Sequence, residues 1–216
     1  MLYLFSGLNA LYSQSKSGFT LLTGEIWYEQ SLSANLQEGI IKQEELINSI
    51  LEEAVYLFSG MIYGFAFSYT PQDKVRGTRE SFTLEPIAQI PWGDPNLEAY
   101  QTYSEEGKTF VKFKYSCSPE QEQWLYRYNT RGTRTSRGYG SGSYQKGPSE
   151  RYTSIEEGIK NGIRESLRQE LFTKPREILG TVRLLEIPRL QIKNNYYIAT
   201  VRISFLISDV LSYRND

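Results

Sequence analysis

The chain has 216 residues, with 24 Lys and Arg against 25 Asp and Glu, and a formal net charge of −1, so bulk charge draws it to neither nucleic acid nor membrane. It has no histidine and one cysteine, Cys117. That excludes Ser-His and Cys-His nucleophile pairs, His-ligated metals, Cys clusters for zinc or iron–sulfur, and an internal disulfide.

The length suits one large domain or two small ones. With 17 Tyr, 10 Phe and 3 Trp, the chain favours half-buried sheets and wet surfaces, where a ring packs and a hydroxyl stays solvated. Residues 1–13, MLYLFSGLNALYS, carry no charge and end near the small or polar Ala10, Ser13 and Gln14. The run is shorter than the ~20 residues that span a bilayer and matches the apolar region of a secretion signal. Its basic leading region is missing, as it would be if the start lay inside a longer signal. The expected location is therefore outside the cytoplasm, in the periplasm or cell envelope.

Residues 18–128 form an expected N-terminal α+β part. Residues 19–28, FTLLTGEIWY, read as a strand. Leu36, Ile40, Ile47, Leu51, Ala54 and Phe58 then recur at helical spacing among acids. This predicts a helix over residues 35–59 that buries Ile40, Ile47, Leu51 and Phe58 and stops at Gly60. In residues 61–69, Met61, Tyr63, Phe65, Phe67 and Tyr69 alternate with Ile62, Gly64, Ala66 and Ser68. That pattern predicts a strand with one aromatic core face and one small face that admits a helix. The apolar run 54–69 is broken at Ser59-Gly60, so no mature membrane span is expected. Residues 81–90 read as an edge or bulged strand because of Pro86, and residues 91–100 as loop. Residues 108–117 and 123–128 read as a hairpin across Ser118-Pro119-Glu120.

Residues 129–149, NTRGTRTSRGYGSGSYQKGPS, contain no aliphatic residue. Such a segment has little to bury against its ordering entropy, so a flexible loop is expected. It separates off a C-terminal part, residues 150–210. There Ser154 and Glu157 have capping-box spacing for a helix running to Phe172. Ile155, Ile159, Ile163, Leu167 and Leu171 make its core stripe, beside a row of Gly158, Gly162 and Ser166 that implies close packing. Pro175 ends it, and residues 178–192 and 196–208 form a hairpin turned at Asn194-Asn195. The fold class is thus α+β, two amphipathic helices packed on antiparallel sheet. The helix openings LQEGIIKQ and IEEGIKNG are alike, which points to a duplicated helix-plus-meander unit.

The order TGEIWY, amphipathic helix, MIYGFAFSY, behind a signal-like start, resembles small α+β modules of bacterial cell-envelope proteins: the LPP20-like lipoprotein domains and the N-terminal domain of flagellar T-type proteins. The resemblance covers residues 19–69 and extends to 153–208. It implies a role in assembly or scaffolding. The chain departs from it in lacking the lipoproteins' attachment cysteine and in a helix rich in Glu and Ile where alanine is common.

No catalytic constellation stands out. The adjacent pairs Glu44-Glu45, Glu52-Glu53, Glu105-Glu106 and Glu156-Glu157 diverge by about 100° where helical and form a solvated face. Asp94 and Glu98 lack Ca²⁺-loop spacing. No Walker loop, GxGxxG, GxSxG or HExxH occurs, and no cofactor or metal is expected. What rises above background is cationic and aromatic: Arg127, Arg131, Arg134, Arg137 and Lys146 with Tyr139 and Tyr144, and no acid among residues 123–149. Mobile guanidinium groups and stacking rings capture anionic partners. The expected function is non-enzymatic: an exported envelope component for structure, assembly or adaptation, contacting a protein or an anionic envelope polymer. The alternative is binding of single-stranded nucleic acid.

Overall fold

The computed structural model describes residues 20–29, 36–168 and 175–213, with side chains 36–43 excepted. The leader-like residues 1–13, and the expected core positions Ile40 and Leu171, fall outside it. The elements are β1 (Leu21–Glu29), α1 (Leu36–Ile62), β2 (Phe65–Thr70), β3 (Ser81–Pro86), β4 (Leu97–Glu105), β5 (Lys108–Ser116), α2 (Pro119–Arg127), β6 (Arg134–Ser143), α3 (Glu150–Ser166), β7 (Glu177–Leu184), β8 (Arg189–Lys193) and β9 (Tyr196–Leu211). The fold is α+β, and every strand pair is antiparallel.

Strand β9 organises the larger, six-stranded sheet, whose order is β3-β2-β7-β9-β6 with β8 also on β9. One side of β9 pairs with β6; the other pairs with β8 near Tyr196 and with β7 from Ile203 onward. The expected turn is present: Lys193 faces Tyr196, and Asn194 and Asn195 have φ of 51° and 62°. Asparagine tolerates that left-handed backbone better than other side chains. Tyr197, Ala199, Val201, Ile203 and Phe205 are all buried, as period-two alternation requires. The smaller sheet has the order β1-β5-β4.

Helix α1 touches β1 and β5 of the smaller sheet and β7 of the larger. Lying between sheets, it buries Ile50, Ala54, Val55, Leu57, Phe58, Met61 and Ile62 around more than one face. The bend between β7 and β8 also ties the sheets together, since Ile187 occupies the space where a Cβ on Gly24 of β1 would sit. One hydrophobic cluster consequently runs through both sheets.

The largest departure from expectation is residues 129–149. Its middle, Arg134–Ser143, is strand β6, paired with β9 along its whole length. Side-chain burial does not hold it there; backbone approach does. Gly138, Gly140 and Gly142 face α3 so closely that a Cβ would overlap the carbonyl oxygens of Gly158, Ser154 and Glu150 respectively. Strand glycines two residues apart advance about 6.8 Å and helix positions four apart about 6 Å, so the two backbones stay in step. The Cα–H groups of the strand then meet helix carbonyls repeatedly. From the helix side, Cβ atoms on Gly158 and Gly162 would lie 3.2 Å from Val201 and 3.0 Å from Ile203. The seam is closed by Ser136 Oγ donating to the Gly162 carbonyl (2.8 Å) and Asn161 Nδ2 donating to the Tyr139 carbonyl (2.9 Å).

Other boundaries shift for local reasons. Helix α1 runs through Gly60, whose missing side chain admits the Phe65 ring, and ends before Gly64 at φ 75°. Ile47 is 48 % exposed because burial of α1 begins at Ile50. In β2 the aromatic face, Phe65, Phe67 and Tyr69, is buried, while Ala66 is exposed and receives no helix. Residues 123–128 are not a strand: Ser118 and Gln121 form a reciprocal capping box with Pro119 in the first turn, which starts α2. The partners of β5 are instead β1 and β4. Helix α3 begins a turn early, so Ser154 is interior and donates to the Arg151 carbonyl rather than capping. Ile159, Ile163 and Leu167 are fully buried as expected. The helix units also differ in context: β6 shares a sheet with the strands after α3, whereas β1 pairs in the separate smaller sheet.

Candidate anion-binding face

The most buried charges belong to the core. Arg151 and Glu53 are 2 % and 1 % exposed. The guanidinium donates to both carboxylate oxygens (2.7 and 2.9 Å) and to the Trp27 carbonyl (2.9 Å), and Tyr28 donates its hydroxyl to Glu53 (2.6 Å). The Tyr28 ring lies 4.1 Å from the guanidinium carbon. Burial works to lower the Arg151 pKa, but its bonds to Glu53 and that residue's charge outweigh this and raise it. Every strong group here is engaged, so the cluster acts as a lock joining β1, α1 and α3.

Burial likewise holds back the nucleophiles. Cys117 is 1 % exposed, and desolvation, with the charge of Glu122, pushes its thiol up to about 12. Burial also raises the phenols of Tyr152 and Tyr197 to about 12. These groups ionise in the unfolded chain before they do so in the native one. Their stabilisation is complete below the ordinary thiol and phenol values and is lost as pH rises toward 12. From about pH 7 to 8.5 these groups leave the denaturation midpoint unchanged, and it is expected to fall beyond that range. Near neutral pH, Cys117 should react with a thiol reagent at least about a hundredfold more slowly than in the denatured chain.

The open chemistry lies on the side of β6–β9–β8 away from α3. Because the β6 glycines face the helix, Thr135, Arg137, Tyr139 and Ser141 face solvent, and all four are exposed. Arg137 is opposite Arg202 on β9, and Tyr139 is opposite Thr200, which is opposite Arg189 on β8. Lys193 continues the β8 row two positions beyond Gln191 and faces Tyr196. Tyr139 and Tyr196 are 59 % and 49 % exposed. Strands β6 and β8 place no carboxylate on this face; on β9 Asp209 stands at the far end, opposite Leu179, and Glu186, in the bend before β8, reaches Arg202 at 3.1 Å. On the outer face of the smaller sheet, by contrast, each lysine of β5 has a cross-strand acid: Lys108 opposes Glu29 and Glu105, Lys112 opposes Glu25, and Lys114 opposes Glu98.

Arg183 belongs to the same side of the larger sheet, opposite Ser204. It is 6 % exposed under the Tyr128 ring, 5.3 Å away, and its Nε has no hydrogen-bond partner among the described residues.

The cationic residues singled out from sequence are dispersed. Arg127 ends α2 with its guanidinium 4.0 Å over Trp124. Arg131 is exposed in the turn before β6, and Arg134 opens β6 on the α3 side. Tyr144 and Lys146 occupy a single 3-10 turn, where the Tyr144 ring lies 5.3 Å from Tyr197. Only Arg137 and Tyr139 share the open face. Arg189, Lys193, Tyr196 and Arg202 were missed there, although the parity of the hairpin, with Leu190 and Val201 inward, carried the signal.

A protein-family model matches residues 7–213. An "Uncharacterized protein" of Treponema pallidum (strain Nichols) is 22 % identical over 201 residues, covering 92 % of this chain and 84 % of the relative. No solved structure matches.

Proposed function

We propose, for a chain that belongs to the family whose model matches residues 7–213, a non-enzymatic role in the cell envelope: a structural or adaptor component that captures an anionic partner, polymer or acidic protein, on the β6–β9–β8 face. The observation that carries this reading is the unbalanced charge of that face, where Arg137, Arg189, Lys193 and Arg202 are answered by Glu186 at Arg202 and, at the far end of β9, by Asp209. Like charges held on paired strands repel one another, and an anionic partner relieves that repulsion. Tyr139 and Tyr196 add exposed rings that pack against a bound chain while their hydroxyls stay solvated. The non-enzymatic part is supported by the engagement of Glu53 with Arg151 and the burial of Cys117. The envelope part rests on the leader-like residues 1–13.

The test is the triple variant Arg137→Glu, Arg189→Glu, Arg202→Glu. Three exposed contacts at about 0.5–1 kcal/mol each amount to a ten- to hundredfold loss of partner capture from envelope extract. Capture by the native chain should also weaken with salt, since exposed charges are screened over about 8 Å at physiological ionic strength. The reading fails if the variant retains the same partners with the same salt dependence. Preferential binding of single-stranded RNA, by a product that fractionates with the cytoplasm, would favour the nucleic-acid alternative.

A further inference from the structure

A separate cavity of about 270 Å³ lies at the start of α2, lined by Tyr63, Asp94, Asn96, Tyr115, Glu120 and Trp124 among others. Its hydrogen bonds run in one forced direction. The Ser118 backbone N–H can only donate, and it donates to Gln121 Oε1 (2.8 Å). Gln121 Nε2 must then face the two phenols, donating to Tyr115 (2.7 Å) and Tyr63 (2.9 Å). Tyr115 donates its own hydroxyl hydrogen bond to Asp94 Oδ2 (2.9 Å), and Asp94 Oδ1 accepts from the Asn96 backbone and side-chain amides (both 2.9 Å). The chain of bonds fixes every group except its two ends. At one end the Tyr63 hydroxyl, already an acceptor, has its hydrogen to give. At the other, Asn96 has its carbonyl oxygen turned away from Asp94, ready to accept. The Glu120 carboxylate adds acceptors at the rim.

The remaining wall is aromatic. Tyr63 and Trp124 meet edge to face, with centroids 5.8 Å apart. We infer that this cavity binds one ring of a neutral saccharide. A sugar ring has an apolar C–H face for the aromatic wall and a rim of hydroxyls, each able to accept from Tyr63 and donate to Asn96 or Glu120. The volume falls just under the usual range for ligand cavities, which leaves room for one ring and no more. Among the described residues two carboxylates and no cation line it, Arg127 being stacked on the Trp124 ring beside it, so the cavity disfavours anions and is chemically distinct from the β6–β9–β8 face, and each site stands or falls alone.

The experiment is an NMR titration of the full chain with glucose and with N-acetylglucosamine, following the Trp124 indole and Gln121 side-chain amide signals. Putrescine and inorganic phosphate serve as cationic and anionic comparisons. A saturable shift of both signals with at least one sugar, and with neither comparison compound, is expected. Tyr63→Phe, which keeps the ring and removes the donor, should weaken binding about fivefold, and Asn96→Ala, on an exposed turn, by a similar factor. The inference is overturned if neither sugar shifts these signals, if putrescine or phosphate shifts them instead, or if both variants bind sugar as the native chain does.

Discussion

Gly140→Ala is expected to destabilise the protein by about 3 kcal/mol, and Gly140→Val to prevent folding. The added Cβ would fall within the Ser154 carbonyl oxygen and against the Gly158 amide nitrogen. Both are backbone atoms of α3, so no rotamer change relieves the overlap; the helix must lift off β6 along its length. Lifting it would also open the contacts of Gly158 with Val201 and of Gly162 with Ile203, so one methyl group disturbs several layers of packing. Ser141→Ala, on the exposed side of the same strand, should change stability by no more than about 0.5 kcal/mol. Urea denaturation of the two variants separates a packed seam from a tolerant surface strand. Equal, small effects would mean that β6 is not held by its glycines.

Arg151→Met should cost about 3–5 kcal/mol, because it leaves the Glu53 carboxylate in the core with the Tyr28 hydroxyl as its remaining partner. Arg151 also donates to the Trp27 carbonyl, so the loss frees a half-buried acceptor on β1. The double variant Glu53→Leu, Arg151→Met removes both charges together and is expected to recover most of that loss. A double-mutant cycle in guanidinium chloride measures the coupling. Additive losses would show that the pair does not act as a unit, and that Arg151 matters through its bond to the Trp27 carbonyl and its packing on Trp27, Tyr28 and Tyr197.

The elements legible in the sequence were those whose own residues carry the reason for their shape. The alternation through β9, the Asn194-Asn195 turn and the isoleucine stripe of α3 state period and turn chemistry directly. The segment containing β6 was opaque because its stability is supplied from outside. RTSRGYGSGS has the composition of a loop, and only the row of small residues on α3, visible as Gly158 and Gly162, hints at the matching strand. Residues 123–128 misled for a different reason: Trp124, Tyr126 and Tyr128 alternate as in a strand, but the cap at Ser118 and Gln121 decides the backbone. For the candidate face, charge was legible and grouping was not. Arg137 and Arg202 are far apart in the chain and become neighbours only through the β6–β9 register.

The pairing of β2 with β7 sets a timetable for synthesis. Phe65, Phe67 and Tyr69 leave the ribosome with β3 available on one side, but Val182, Gly180 and Ile178, their partners on the other, are made more than a hundred residues later. At cellular elongation rates that delay is roughly 5–20 s. Throughout it, an aromatic strand offers an open row of amides and carbonyls to any neighbouring chain. A nascent polypeptide with that exposure depends on being held unfolded, or on being released quickly, and crowded translation of the same message is where its misassembly would begin.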